Sequence, residues 1–255
     1  MNKDTREALF EFVLRHGDNA LIHGHRLSEL CSRGPFLEED IATTNIALDL
    51  LGQSRILYAY ASEVEGKART EDDLAYHRMQ DEFRNAILLE QPNGDFAFTT
   101  AKQLYYSAFA YLFQQQLKNS PDQTLAGYSA KAFKETTYHW RHCSEWVIRL
   151  GDGTEESRQR MQTAINDYWM YTNDLFATIP GDEHLFKEGI IPDINALKPH
   201  WTELISEILK RATLAMPDTA AWQQSGSRIG KHTEELSYIL GEMQYLQRAY
   251  PGAEW

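Results

Sequence analysis

The sequence predicts an all-α chain. Apolar residues recur at helical spacing along most of its length, no run of alternating strand residues interrupts them, and glycines and prolines cluster at intervals where helices would stop. β-branched residues are sparse, which agrees with the same reading.

The first helix is expected from about Thr5 to Leu30, with a weak point at Gly17, and ends at Arg33-Gly34-Pro35. The second runs from about Glu38 to Val64, with Ile46, Leu50, Leu57 and Val64 on one stripe flanked by Ala47, Leu51 and Ala61, and stops at Glu65-Gly66-Lys67. Thr70 precedes Asp73 by three residues, a capping-box pattern that opens a third helix through Leu89. Pro92 and Asn93-Gly94 then break the chain. A fourth helix, about Phe96 to Leu117, carries Tyr105, Tyr106, Phe109, Tyr111 and Phe113. A fifth spans about Gln123 to Leu150, and Thr154 caps a sixth whose first turn holds Glu155 and Glu156, where the helix dipole favours them. The stretch 178–196 reads as loop, followed by a helix from Pro199 to about Leu214, a second loop over 216–231, and a last helix from about Thr233 to Tyr250 with Leu236, Ile239, Leu240, Met243, Leu246 and Tyr250 on one face.

Four long helices in residues 1–150 bury their stripes against one another as a bundle, the shorter third helix joining two helix pairs. The helices of 151–255 pack outside that bundle or against a partner, and 1–255 is read as a single domain. No self-similar repeat appears.

The formal net charge is −12, which repels phosphate backbones and anionic membranes, so neither nucleic acid nor a membrane surface is an expected partner. The two cysteines, Cys31 and Cys143, form no CxxC and read as small buried or half-buried thiols in a reducing compartment. The start has no apolar signal region and no stretch is long and apolar enough to span a bilayer, so a soluble, cytoplasmic protein is expected.

One stretch, KETTYHWRH over 134–142, raises a chemical question. Glu135, His139 and His142 follow one another at spacings of four and three, along one helical stripe. A bundle that holds two irons needs about six protein ligands, among them two Glu-x-x-His pairs. No Glu or Asp in this chain has a His three residues later: Glu135 is followed there by Tyr138, Asp49 by Gly52 and Glu82 by Asn85. His23 and His25, two apart, diverge around a helix and read as surface or half-buried side chains. The aromatic set from Tyr105 to Phe113 reads as core, and EQPNGD over 90–95 as a structural turn. Glu242 and Gln244 are candidate anchors; Glu234, Glu235 and Arg248 are candidate interfacial ion pairs. No nucleophile elbow, Walker loop or dinucleotide fingerprint is present.

The stretches LRHGDNALIHGHRLSELC, NIALDLLGQSR, LLEQPNGDFAFT, AKAFKETTYHWRH and, most distinctively, GKHTEELSYILGEMQYLQRAYPGAEW resemble the C subunits of the phenylacetyl-CoA epoxidases, bacterial multicomponent monooxygenases of phenylacetate degradation. The resemblance covers nearly the whole chain. It implies a ferritin-like four-helix bundle with additional C-terminal helices, and a structural, non-catalytic subunit bound to a catalytic A subunit that holds the di-iron centre, alongside the other subunits of the complex. It also implies no catalytic residue and no cofactor in this chain. The positions matching the catalytic relative's ligands are Leu50 and Gln53, Thr136 and His139, and Ser107; the first-helix carboxylate falls within 18–23 and is not placed further. Glu135 then lies one residue off the ligand position. A homodimer is a further expectation for related bundles. Two alternatives stand: an active di-iron oxidase or iron-binding protein with atypical ligands drawn from Glu135, His139, His142 and Asp18, and a stand-alone adaptor for another oxygenase.

Overall fold

The computed structural model describes residues 2–253. Every regular element among them is helical: α1 (Lys3–Ser28), α2 (Leu37–Glu65), α3 (Glu71–Tyr76), α4 (Ile87–Glu90), α5 (Phe96–Leu117), α6 (Gln123–Gly151), α7 (Glu155–Trp169), α8 (Pro180–Lys187), α9 (Ile194–Arg211), α10 (Glu234–Met243) and α11 (Tyr245–Ala249), with three short 3-10 turns. The all-α class holds, and α1–α2 and α5–α6 each form a long helical hairpin of the kind found in ferritin-like folds. Among the described residues, no helix is long and apolar enough to cross a membrane. The chain divides into two compact units. The first comprises the chain up to Pro92, Ile179–Lys187 and the chain from Gly226 on; the second comprises Asn93–Thr178 and Glu188–Ser225. Residues beyond 151 are thus shared between both units.

In the first unit, α1 and α2 run antiparallel: Gly17 faces Tyr58, and Gly24, further along α1, faces the earlier Leu51. A Cβ on Gly17 would lie 2.7 Å from the Tyr58 ring, and one on Gly24 would lie 3.1 Å from Leu51. Gly17 is therefore a point of close approach within an unbroken helix, where the sequence suggested a weak point. The Asn2 side chain caps α1 by accepting from the Thr5 N–H at 2.7 Å, and Gly66 ends α2 with φ 68°. The predicted stripe Ile46, Leu50, Leu57 and Val64 is buried throughout. Each such side chain contributes roughly 1.5–3 kcal/mol of transfer free energy.

The third predicted helix is not continuous. The Thr70 capping box opens α3 as expected, but α3 ends at Tyr76, and the chain runs through a 3-10 turn, Gln80–Glu82, to the short α4. Tertiary partners take its backbone groups: the Arg84 N–H donates to Asp18 at 2.8 Å, the Ala86 N–H donates to Asn19 at 2.7 Å, and the Arg78 side chain donates to the Leu74 and Glu82 carbonyls. The 178–196 stretch, read as loop, contains α8. Pro180 opens that helix, and a buried bidentate pair between Arg15 and Asp182 (2.7 and 2.6 Å) ties it to α1. The last predicted helix breaks at Gln244, whose amide donates to the Ala75 and Arg78 carbonyls, both at 3.1 Å. Leu236, Ile239 and Leu240 are buried as expected, whereas Met243 is half-buried and Leu246 and Tyr250 are exposed.

In the second unit, α5 and α6 match their predicted spans. Their antiparallel register shows in Ser129 donating to the Gln114 carbonyl at 2.8 Å near one end and Phe96 meeting Trp146 edge-on at the other. The aromatic residues of α5 are core, as predicted: Tyr105, Tyr106, Phe109 and Phe113 are buried, while Tyr111 is half-buried and stacks on Phe133. Tyr105 packs against Trp169 and Trp201, donates to the Ile165 carbonyl at 2.8 Å, and accepts at its own carbonyl from the Trp201 indole at 2.9 Å. Thr154 caps α7. Helix α9 begins five residues before Pro199 because Asp193 caps it, accepting from the Asn195 and Ala196 N–H groups.

Candidate functional site

Helix α6 carries the stretch that the sequence singled out. Thr136, His139 and Cys143, at spacings of three and four, form one buried stripe. Ser107 of α5 meets this stripe and hydrogen-bonds the Cys143 thiol. Burial pushes that thiol up to about 12, and the Ser107 hydrogen bond opposes the shift only in part, so Cys143 is a neutral packing group. The Thr136 hydroxyl donates back along its own helix to the Ala132 carbonyl at 2.9 Å and the Phe133 carbonyl at 3.3 Å. His139 is buried, with the Tyr138 ring edge-on at 6.3 Å. Glu135 lies off this stripe and pairs with Lys131 at 3.5 Å, and the half-buried His142 leans on the Tyr138 ring at 5.8 Å. Among the described residues, the carboxylate and the two imidazoles of KETTYHWRH are not grouped so as to hold a metal ion.

In the first unit, Leu50 and Gln53 are buried one turn apart on α2. Asp18 of α1 is fully buried and committed: it accepts from the Tyr58 hydroxyl at 2.5 Å, from both terminal nitrogens of Arg78, and from the Arg84 N–H. Burial works against the Arg78 charge, and Asp18 and Tyr58 more than restore it, so its pKa is raised. Burial first, then the neighbouring Asp18 charge, holds the Tyr58 phenol protonated. His23 is fully buried, against the expectation of a surface or half-buried side chain. His25 is half-buried, with its pKa lowered by desolvation.

A di-iron centre needs several carboxylates together with its imidazoles. The positions that the family resemblance matches to such ligands carry one hydrocarbon (Leu50), one amide (Gln53), two hydroxyls (Ser107, Thr136) and one imidazole (His139). Thr136 spends its hydroxyl proton on its own helix and Ser107 bonds the Cys143 thiol. Among the described residues, no three His, Cys, Asp or Glu side chains are grouped so as to hold a metal ion. Leu50, Gln53, Ser107, Thr136 and His139 offer no carboxylate and do not fit two irons.

The centre that sequence reasoning missed is Glu90. Its buried carboxylate accepts from Asn85 at 2.9 Å, from the Thr233 N–H at 2.6 Å and hydroxyl at 2.8 Å, and lies 2.8 Å from His232 Nδ1. Arg26 donates to the Glu90 carbonyl at 2.9 and 2.7 Å and pairs with Glu235 at 2.9 Å. The available signal was a lone acid inside the apolar run Ile87-Leu88-Leu89, with a His-Thr-Glu far downstream. Gln244 is an anchor, as expected, but Glu242 is exposed. Glu235 and Arg248, expected at an interface, bond within the chain to Arg26 and to the Arg78 carbonyl.

The family model described as "Phenylacetic acid catabolic protein" matches residues 1–255. The chain is also 44% identical, over 247 residues, to the C subunit of the 1,2-phenylacetyl-CoA epoxidase of Escherichia coli (strain K12), covering 97% of this chain and 99% of that one.

Proposed function

Because this chain belongs to the phenylacetic acid catabolic protein family, we propose that it acts in the cytoplasm as a structural, non-catalytic subunit of a phenylacetyl-CoA epoxidase. In this reading it binds and stabilises the di-iron subunit that epoxidises the aromatic ring. What supports the non-catalytic half of the proposal is the donor set: Leu50, Gln53, Ser107, Thr136 and His139, the positions that the family resemblance matches to iron ligands, include one imidazole and no carboxylate. The likeness to a protein named as one component of an epoxidase supports the partnership. The physical role follows from packing: a paired helical body buries surface that the catalytic partner would otherwise leave exposed, and it holds the metal-bearing helices of that partner in place.

Size-exclusion chromatography of this chain and its catalytic partner, separate and mixed, with iron assayed in each peak, tests the reading. A mixed peak with iron stoichiometric to the catalytic partner alone is expected. Two irons per chain in this protein's own peak would favour an oxidase with atypical ligands, and failure to co-elute would favour an adaptor for another enzyme.

A further inference from the structure

Glu90 and His232 meet with both side chains fully buried. Each oxygen of Glu90 already faces donors: Oε1 receives the Thr233 N–H and hydroxyl, and Oε2 receives the Asn85 amide. Three donors thus converge on the two carboxyl oxygens. The His232 ring is caught between two acceptors. Its Nδ1 lies 2.8 Å from Glu90 Oε2, and its Nε2 lies 2.9 Å from the Phe83 carbonyl oxygen. Against a carboxylate, a neutral imidazole with its one N–H turns only one of the two contacts into a hydrogen bond, whereas an imidazolium makes both. The geometry suits an imidazolium–carboxylate pair.

The ring is also the seam between two stretches far apart in sequence. Phe83, Asn85 and Glu90 belong to the irregular 77–92 stretch, whereas His232 and Thr233 open the C-terminal segment that continues through α10 and α11. The ring meets Glu90 and the Phe83 carbonyl and feels the charge of Asp18 from α1, while Arg26, Glu235, Arg84 and Arg228 bond to these segments. Arg26 is engaged by the Glu90 carbonyl, Glu29 and Glu235, and Arg228 donates to the Arg84 carbonyl. Burial alone would lower the ring's pKa. The hydrogen bond and charge of Glu90, the Phe83 carbonyl and the Asp18 charge outweigh it, and the pKa is raised.

We propose that the His232–Glu90 contact is a proton-operated latch, which fastens the C-terminal segment, residues 226–253, to α1 and the 77–92 stretch and releases it when the ring loses its proton. The closed form binds the proton more tightly than the open one. Closure is thus fully favoured below the ordinary value of 6.5 and weakens as pH rises through the raised value of the folded chain. Between those two values the opening constant rises up to about tenfold per pH unit, and then levels off.

Pulsed hydrogen exchange on the full chain between about pH 6 and about pH 9, corrected for intrinsic rates, reads this directly. Protection of the α10 amides is expected to fall as pH rises through that range, about tenfold for each pH unit by which the ring's pKa is raised, while the α5 amides keep theirs. Flat protection in α10, or an equal fall in both helices, overturns the latch. In Glu90→Gln the pH dependence of α10 is expected to vanish, with protection low throughout. Should that variant fail to fold, a pH titration of the ¹⁵N chemical shifts of His232 in the unaltered chain decides the matter: a midpoint above 6.5 supports the latch, and one at or below 6.5 refutes it.

Discussion

Asp18 makes the sharpest prediction at the scale of single residues. Its carboxylate is the counter-charge of a buried guanidinium, and it also orders Tyr58 and the Arg84 N–H. Asp18→Asn keeps the shape and removes the charge, which leaves Arg78 buried without its partner. A loss of about 3–5 kcal/mol in unfolding free energy by denaturant titration is expected, because a broken buried pair strands the surviving ion. The loss is expected equally in iron-free and iron-supplemented protein; a loss seen only with iron would make Asp18 a ligand. Residues of this kind resist sequence reading for a physical reason. Asp18 meets Tyr58 and Arg78 across 40 and 60 residues, and Glu90 meets His232 across 142, so no local spacing announces them. The offset of Glu135 from Thr136 was legible, since it depends only on the angle between neighbours on one helix.

Among elements, the long ones were read well. Helices α2, α5 and α6 carry stripes of several turns, and burial of those stripes outweighs any local preference. The failures are elements whose ends are set by distant groups: the stretch after Tyr76, the start of α8 under Arg15–Asp182, and the break at Gln244. Gly230 marks such a contact on the C-terminal segment. Its φ is 74°, and a Cβ there would lie 2.1 Å from the Asp81 carbonyl oxygen, whereas Gly66, with φ 68°, has open space around it. Gly66→Ala should cost only the left-handed backbone penalty, about 1–2 kcal/mol. Gly230→Ala adds a collision with main chain and should cost more by at least about 1 kcal/mol, with earlier proteolytic cleavage in 226–253. Equal costs for the two variants would mean that the segment does not sit against Asp81.

For the whole molecule, the question is whether stability depends on a bound metal. A ligand held only by the folded state adds RT ln(1 + [L]/Kd), about 2.7 kcal/mol at a hundredfold excess over Kd. For a chain of this size each kcal/mol moves the melting temperature by roughly 2–4 °C. A structural iron centre would therefore cost several degrees or more on removal. Here the long helices rest on other supports: buried aromatic packing around Tyr105 and Trp201 in the second unit, and the Arg15–Asp182 and Arg78–Asp18 pairs in the first. None of these involves a metal donor set. The melting temperature of the isolated chain is expected to stay within about 1 °C after dialysis against a strong iron chelator, and, under the proposed role, to rise when the catalytic subunit is added, because a partner that binds only the folded form stabilises it. A chelator-induced drop of several degrees, reversed by ferrous iron, would show that this body is supported by metal after all, and the reading of its role as packing would fall with it.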